Sequence, residues 1–252
     1  MKKIILILYP LFSINQNSML EYFKRWFPSK DEVRKPKKAI RQAVAMLRRE
    51  YDGIPLDKDS VDSNPYLEFS KWFEIAVKEI ENDPNAMILG SANSEGQPAT
   101  RTVLLKGFDD TGFIFYTNYE SRKAKDLAEN NKVSLTFYWP DLMRQIHIQG
   151  SVEKISEEMS DQYFKSRPAG SKLGAWASKQ SSVVDSREDL EESLRSFEKK
   201  FSGSEIPRPP NWGGYLVKPH RFEFWQGRLN RLHDRIVYRK EGDGWVIERL
   251  AP

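Results

Sequence analysis

The 252-residue chain contains no cysteine, which removes disulfides, zinc–thiolate sites, iron–sulfur clusters and thiol nucleophiles from its chemistry. No apolar run approaches the roughly 18 residues of a membrane-spanning helix, so no stable membrane association is expected. Histidine is scarce. His147, His220 and His233 are scattered in sequence, without the helical pairing of a metal site. The Gly-x-x-x-x-Gly-Lys phosphate loop, the Gly-x-Gly-x-x-Gly fingerprint and the Gly-x-Ser-x-Gly elbow are all missing. Charge of one sign is missing too: 40 Lys and Arg against 36 Asp and Glu leave +4. The bases are interleaved with acids, so no nucleic-acid partner is expected. Glycine and proline, at 14 each, are close to average usage and exclude collagen-like or low-complexity chains.

What is present is core material: 39% hydrophobic residues, including seven Trp, ten Tyr and fourteen Phe. Residues 1–37 read as an N-terminal extension and 38–252 as a single domain. Lys2 and Lys3 precede the apolar Ile4–Leu8 in the manner of a signal segment, yet no small-residue cleavage site follows. Met19 to Lys38 mixes bases with Glu21, Asp31 and Glu32, a poor transit peptide. A disordered tail, a start assigned too far upstream and a targeting segment all fit, and a cytoplasmic location is expected.

From Lys38, Ile40, Val44, Leu47 and Tyr51 predict a helix that Asp52-Gly53 stops. Asn64-Pro65 opens a second, with Leu67, Phe69, Trp72, Phe73, Ala76, Val77 and Ile80 as a broad apolar face. Strands are predicted over Ala86–Ala92, Ala99–Lys106, Phe113–Thr117, Val133–Trp139 and Arg144–Val152, with a short basic helix over Ser121–Asn131. Helices over Ser156–Ser166 and Ser186–Phe201 follow, the latter with a Ser186-x-x-Asp189 cap. Pro207–Gly214 reads as a loop. Three strands end the chain, Tyr215 to Trp225, Arg235–Arg239 and Trp245–Leu250. Antiparallel strands joined by short turns, with inserted helices, make an α+β fold built on a barrel or strongly curved sheet.

Cations in aromatic surroundings stand out. Arg101 and Lys106 bracket Thr102-Val103-Leu104-Leu105, where a buried charge is costly unless paired. Arg122 and Lys123 open the basic helix, whose N-terminus suits a phosphate. Arg167 ends another helix, and Arg228, Arg231, His233 and Arg235 crowd together after Trp225. Each has a second reading: a barrel-rim residue, a solvated helix face, a cation at a helix C-terminus, and for Gln145, His147 and Gln149 the solvent side of a strand. Together they describe a site for small phosphorylated aromatic ligands.

Several strings then fall in order: Arg101-Thr-Val-Leu-Leu-Lys106, Phe115-Tyr-Thr-Asn118, Ser121-Arg-Lys-Ala124, Arg144-Gln145 and Ser166-Arg-Pro168. Lys179-Gln-Ser-Ser182, Asn211-Trp-Gly-Gly214, Phe224-Trp-Gln-Gly227, Arg231-Leu-His-Asp-Arg235 and Glu248-Arg-Leu-Ala-Pro252 continue the series. From residue 38 to the end the chain closely resembles the pyridoxine (pyridoxamine) 5′-phosphate oxidase family. The resemblance implies an FMN-binding split β-barrel, antiparallel and Greek-key-like, with surrounding helices, working as a homodimer with FMN at the subunit interface. It implies oxidation of pyridoxine 5′-phosphate and pyridoxamine 5′-phosphate to pyridoxal 5′-phosphate, with dioxygen as acceptor and hydrogen peroxide released, in vitamin B6 biosynthesis and salvage. A flavin- or deazaflavin-dependent reductase, or a protein that only stores FMN or pyridoxal phosphate, are the alternatives.

By the same resemblance FMN contacts fall on Arg101, Thr102, Val103, Leu104, Leu105, Lys106, Tyr116, Thr117, Arg122, Lys123, Gln145, Gln180, Ser181, Trp225 and Arg235. Substrate contacts fall on Arg48, Tyr51, Lys106, Tyr163, Arg167, Ser171, Arg231 and His233. Lys106, Tyr163, Arg167 and Ser171 would take the substrate phosphate. Arg231 and His233 are the implied catalytic pair, Arg231 over the pyridine ring and His233 orienting the reacting substituent or assisting its proton loss. One tension follows from strand geometry: five residues apart, Arg101 and Lys106 point to opposite faces of a regular strand. The strand must bulge or twist there, or the two must serve different subunits' sites.

Overall fold

A computed structural model describes Val44 and Leu47–Pro252. The extension over 1–37 and most of the helix expected from Lys38 lie outside the described residues. The chain divides into two compact units, Met1–Arg49 and Glu50–Pro252. In the first, Val44 is helical and exposed and Leu47–Arg49 carry no regular structure. The expected helix does not reach Tyr51. Glu50 to Gly53 are irregular, because the Gly53 amide donates to Gly227 O at 3.1 Å instead of closing a helical turn.

In the second unit, helix α1 spans Pro65–Glu79. Asn64 caps it by accepting the Tyr66 amide at 2.9 Å, and Pro65 fills the first helical position, where no amide partner is needed. Phe69, Trp72 and Ala76, spaced three and four apart, make the buried stripe. The broad face expected from the sequence is narrower than that: Leu67 and Val77 are each 53% exposed. Phe69 packs edge-on to Phe108 and Phe113, each at 4.8 Å, and to Phe137 at 5.1 Å, while Trp72 meets Phe224 at 5.2 Å. Each such aromatic contributes roughly 1.5–3 kcal/mol by burial, so α1 serves as the plug of the barrel.

Nine antiparallel strands form one sheet among the described residues: β1 (Ala86–Ala92), β2 (Pro98–Leu104), β3 (Gly107–Asp109), β4 (Gly112–Asn118), β5 (Lys132–Trp139), β6 (Arg144–Lys154), β7 (Trp212–Gln226), β8 (Asp234–Glu241) and β9 (Gly244–Arg249). Along its path the order is β2-β1-β5-β6-β7-β4-β3, with β8 on β7 and β9 on β8. The two ends of that path, β2 and β3, are consecutive in the chain and separated only by Leu105 and Lys106. The sheet therefore has to curl until its edges nearly meet. The handover is visible in the backbone: the Leu105 amide donates to Asn85 O at 2.9 Å, and the next amide, Lys106, to Ile114 O at 2.8 Å. This resolves the Arg101–Lys106 tension. The strand ends at Leu104, so strand alternation does not carry on to Lys106.

The long β7 is where the barrel splits. Its Trp212–Val217 stretch pairs with β4 and its Arg221–Gln226 stretch with β8, both on the edge not taken by β6. Pro219, which has no amide to donate, sits in the gap. Opposite it, the β6–β7 register shifts between Gln149 and Gly150. The predicted loop over Pro207–Gly214 is thus too long, because Trp212–Gly214 already pair with Asn118–Tyr116.

Helix α2 (Arg122–Glu129), α3 (Glu157–Ser166), α4 (Ala169–Ala177) and α5 (Arg187–Lys200) lie outside the sheet. Ser156 caps α3, and Ser186 and Asp189 cap α5 reciprocally. Neither α4 nor the three-residue β3 was expected. Helix α4 buries no residue and carries Gly170 and Gly174, so neither periodicity nor propensity marks it. It packs on α5 through Trp176 against Phe197 and Phe201, at 5.6 and 5.4 Å.

A Cβ at Gly150 would lie 2.3 Å from Lys218 O and 3.1 Å from Pro219 Cα, both backbone atoms. Gly150→Ala is expected to cost about 2 kcal/mol by overpacking, read as a lower urea midpoint at unchanged slope. An unchanged midpoint would show that the two strands do not press together at the split.

Candidate active site

A cleft of about 500 Å³ opens where the end of β2, Lys106, β4 and the first turn of α2 face α3 and α4. Three cations line it, Lys106, Lys123 and Arg167, and no carboxylate does. The Lys123 ammonium donates to Thr117 Oγ1 at 3.0 Å, Ser121 Oγ at 3.2 Å and Gln180 Oε1 at 2.9 Å, all of them neutral. Burial, and secondarily the charge of Arg101, push its pKa down to about 8. Arg167 lies over the Trp212 ring at 4.6 Å and near Phe164 at 5.4 Å, and its buried Nη1 has no hydrogen-bond partner. Burial lowers its pKa against the opposing influence of Tyr163. Guanidinium stays charged regardless, so the cleft holds desolvated positive charge without a counter-ion. That is the electrostatic character of an anion site.

Thr102, Val103, Leu104, Tyr116, Thr117, Tyr163, Ser171 and Gln180 complete the expected residues in this cleft. Tyr116 stacks on Tyr163 at 3.9 Å and on Trp212 at 5.4 Å. Trp212, Asn118 and Ser178 also line it and were not singled out as ligand contacts. Arg101 is not among the lining residues. It donates to Ser91 Oγ at 2.7 Å and stands 3.6 Å from Asp126, which itself accepts from Ser91. Arg122 is exposed, the Leu105 side chain is in the core, and Ser181, at φ 73°, is exposed beside Gln180. Arg48 is exposed and belongs to the unit Met1–Arg49, not to the unit that holds the cleft.

A second group gathers at the other end of β7. Trp225 lies 4.7 Å from His233, and Tyr51 packs edge-on to both, at 5.7 and 5.4 Å. Gln145 pairs across the ladder from Trp225. His233 Nδ1 accepts the Arg228 amide at 3.0 Å, which leaves the ring proton on Nε2. Burial and then the Arg231 charge lower its pKa, with Asp234 opposing. Arg235 donates through Nε to Glu223 Oε1 at 2.7 Å and places Nη2 at the same distance from that oxygen; its Nη1 reaches Ala251 O at 2.9 Å. Burial raises the Glu223 carboxyl, but Arg235 and Arg221 together outweigh it and hold the group below its ordinary range. Asn230 and Arg231 both adopt left-handed backbone, φ 56° and 63°, in a turn that leaves Arg231 exposed. Positive φ is uncommon for non-glycine residues, and two in succession make this a tight turn.

The two groups stand eleven residues apart along β7, Gly214 beside Tyr116 and Trp225 beside Gln145. That is about 36 Å of strand path. Residues 73–225 match the family described as pyridoxamine 5′-phosphate oxidase, and residues 212–252 match the pyridoxine 5′-phosphate oxidase C-terminal dimerisation region. The chain belongs to the pyridoxamine 5′-phosphate oxidase family. A pyridoxine/pyridoxamine 5′-phosphate oxidase of Rubrobacter xylanophilus is 52% identical over 212 residues, 84% of this chain and 98% of that one. Its namesake in Bordetella pertussis is 51% identical over 211 residues, 83% and 100% of the two chains. PhzG from Burkholderia lata, solved with tetrahydrophenazine-1-carboxylic acid, matches with a TM-score of 0.76 at 30% identity over 81% of this chain and 100% of its own. A pyridoxamine 5′-phosphate oxidase-related FMN-binding protein from Nostoc punctiforme shares the fold, with a TM-score of 0.60 at 16% identity over 79% and 100%. The split barrel is thus the architecture of this pyridoxamine 5′-phosphate oxidase family member, as its sequence implied.

The Lys123 amine gives the cleft a measurable signature. A phosphate monoester is a dianion near pH 8.5 and would return the amine from about 8 toward its ordinary 10.5. Binding there should therefore take up protons, seen by calorimetry in buffers of different ionisation enthalpy. Lys123→Met should abolish the uptake and weaken binding about 10-fold. Binding of the ester by the unmodified protein with no proton uptake would show that its charge is met elsewhere.

Proposed function

We propose that the protein oxidises pyridoxine 5′-phosphate and pyridoxamine 5′-phosphate to pyridoxal 5′-phosphate, with FMN as cofactor and dioxygen as acceptor, as a cytoplasmic homodimer. The observation that carries this is the carboxylate-free cleft, with the orphaned Arg167 N–H and the counter-ion-free Lys123. FMN and the substrate each bring a phosphate ester, and these residues fit such groups. Arg101 to Lys106, Tyr116, Thr117, Arg122, Lys123, Gln180 and Ser181 would hold FMN from one subunit, and Gln145, Trp225 and Arg235 from the other. Two subunits are invoked because the groups lie at opposite ends of β7, and because the dimerisation-region match spans Trp225 to Arg235.

Bound FMN would accept the two electrons lost at the exocyclic carbon on the pyridine 4-position and deliver them to dioxygen, which becomes hydrogen peroxide. The alcohol leaves as aldehyde; the amine route also consumes water and releases ammonia. The chain's own residues bind and orient. Lys106, Tyr163, Arg167 and Ser171 take the ester phosphate by charge-assisted hydrogen bonds. By the family resemblance Arg48 and Tyr51 would contact the substrate, and Arg231, exposed on its turn, would hold the pyridine ring in a reactive geometry. With the Arg228 amide on Nδ1, His233 offers a proton at Nε2, which favours orienting the substrate over abstracting its proton.

Aerobic turnover with FMN and pyridoxine 5′-phosphate should yield aldehyde and peroxide in equal amounts. Arg231→Ala should keep FMN affinity and lose at least about 100-fold in kcat/KM. A yellow protein inert toward both esters, or an Arg231→Ala variant turning over at the parental rate, would sink this assignment.

A further inference from the structure

Arg228, which follows Gly227 in a stretch the sequence leaves without a role, makes three contacts that converge on the substrate side. Its amide donates to His233 Nδ1, its Nη1 donates to Gly53 O, and its Nε stands 3.4 Å from Asp234 Oδ2. Gly53 is held from its other side as well, since its amide donates to Gly227 O at 3.1 Å. The two backbones press so closely that a Cβ on Gly53 would lie 2.6 Å from Gly227 O. A Cβ on Gly227 would lie 2.6 Å from the Tyr51 ring. Asp234 extends the same fastening by accepting the Leu56 amide at 3.1 Å and Arg249 Nη1 at 2.7 Å. Arg249 in turn donates to Leu56 O at 2.8 Å. The segment from Tyr51 to Leu56 is thereby tied to the turn that carries Arg231 and His233.

We infer that Arg228 is a positioning residue for the substrate face. It sets how tightly the phosphorylated pyridine is held by fixing Tyr51 and the His233 tautomer, without touching the ester itself. This rests on the oxidase reading for its substrate, but the fastening is measurable without it. The backbone amide of Arg228 settles which imidazole nitrogen carries the proton. The side chain settles where Tyr51 stands, because Gly53 is two residues away and its carbonyl is bound. A truncated side chain leaves the amide in place, so the two contributions separate experimentally.

The test uses the FMN-loaded full chain with Arg228→Met and Arg228→Lys. Arg228→Met should raise KM for pyridoxine 5′-phosphate about 10-fold with kcat within about 2-fold and FMN affinity unchanged. Amide exchange at Gly53 should quicken by a similar factor. Arg228→Lys, which can restore one of the two side-chain bonds, should recover part of both. Chain labelled with 15N-histidine has three imidazoles to assign, and His233 should show an unprotonated Nδ1 at neutral pH in the parent and both variants.

Unchanged KM and unchanged Gly53 exchange in Arg228→Met overturn the proposal. So does FMN affinity falling in step with KM, and so does a parent His233 protonated on Nδ1. Should Arg228→Met fail to fold, Arg228→Lys and the tautomer in the unmodified protein still decide it. A parent that oxidises neither ester refutes the oxidase reading alone, because exchange at Gly53 and the imidazole signals judge the fastening without turnover.

Discussion

Two residues, Leu105 and Lys106, impose the shape on which the rest depends. They are all the chain allows itself between the two ends of a seven-strand path. A flat sheet would put those ends some six strand spacings of about 4.8 Å apart, a span that two residues cannot bridge. Curling is therefore obligatory, and successive amides mark the transfer, Leu105 to the β1 side and Lys106 to the β4 side. The same step buries the Leu105 side chain in the core and leaves Lys106 at the cleft. Closure of the barrel and placement of a cleft cation are one event.

The cleft is costly in the absence of ligand. Lys123 and Arg167 give up hydration without gaining a carboxylate, and only neutral oxygens and aromatic faces answer them. The core offsets this, with Phe69, Phe113, Phe137, Phe222 and Phe224 all fully buried. Any anion that binds the folded cleft and not the unfolded chain adds its binding free energy to stability. By contrast, carboxylates stand against several arginines of the second group. Arg235 meets Glu223, and Arg228 and Arg249 meet Asp234. The cleft cations thus face no carboxylate, whereas Arg228, Arg235 and Arg249 each face one.

The sheet was legible because its inward faces are apolar at period two. Val133, Leu135, Phe137 and Trp139 are all buried, as their alternation required. The caps at Asn64, Ser156 and Ser186 were legible for the same local reason: a side-chain oxygen answers an otherwise orphaned amide. Helix α4 was not, since nothing in Ala169–Ala177 is buried and two glycines break its propensity. Only the end of the helix expected as far as Tyr51 is corrected, where a tertiary bond to Gly227 captures Gly53. At the site, cations declared themselves by standing among apolar neighbours, whereas Trp212, Asp126 and Glu223 did not. Their importance lies in what they hold, and Trp212 is separated by 45 residues from the Arg167 beneath which it lies. No sequence period encodes that relation.

Strand β7 reaches both groups of candidate site residues. Its N-terminal half pairs with β4, which carries Tyr116 and Thr117, and its C-terminal half pairs with β8, which begins beside His233. Between them Pro219 interrupts the shared edge, and Gly150 lets β6 bend across the gap. The edge is divided, but β6 pairs along the opposite side from Tyr215 to Gln226 with one register shift at Gln149 and Gly150, so a single neighbouring strand reaches both groups. In a symmetric pair of chains, each β7 would then span from the site it shares at one end to the site it shares at the other.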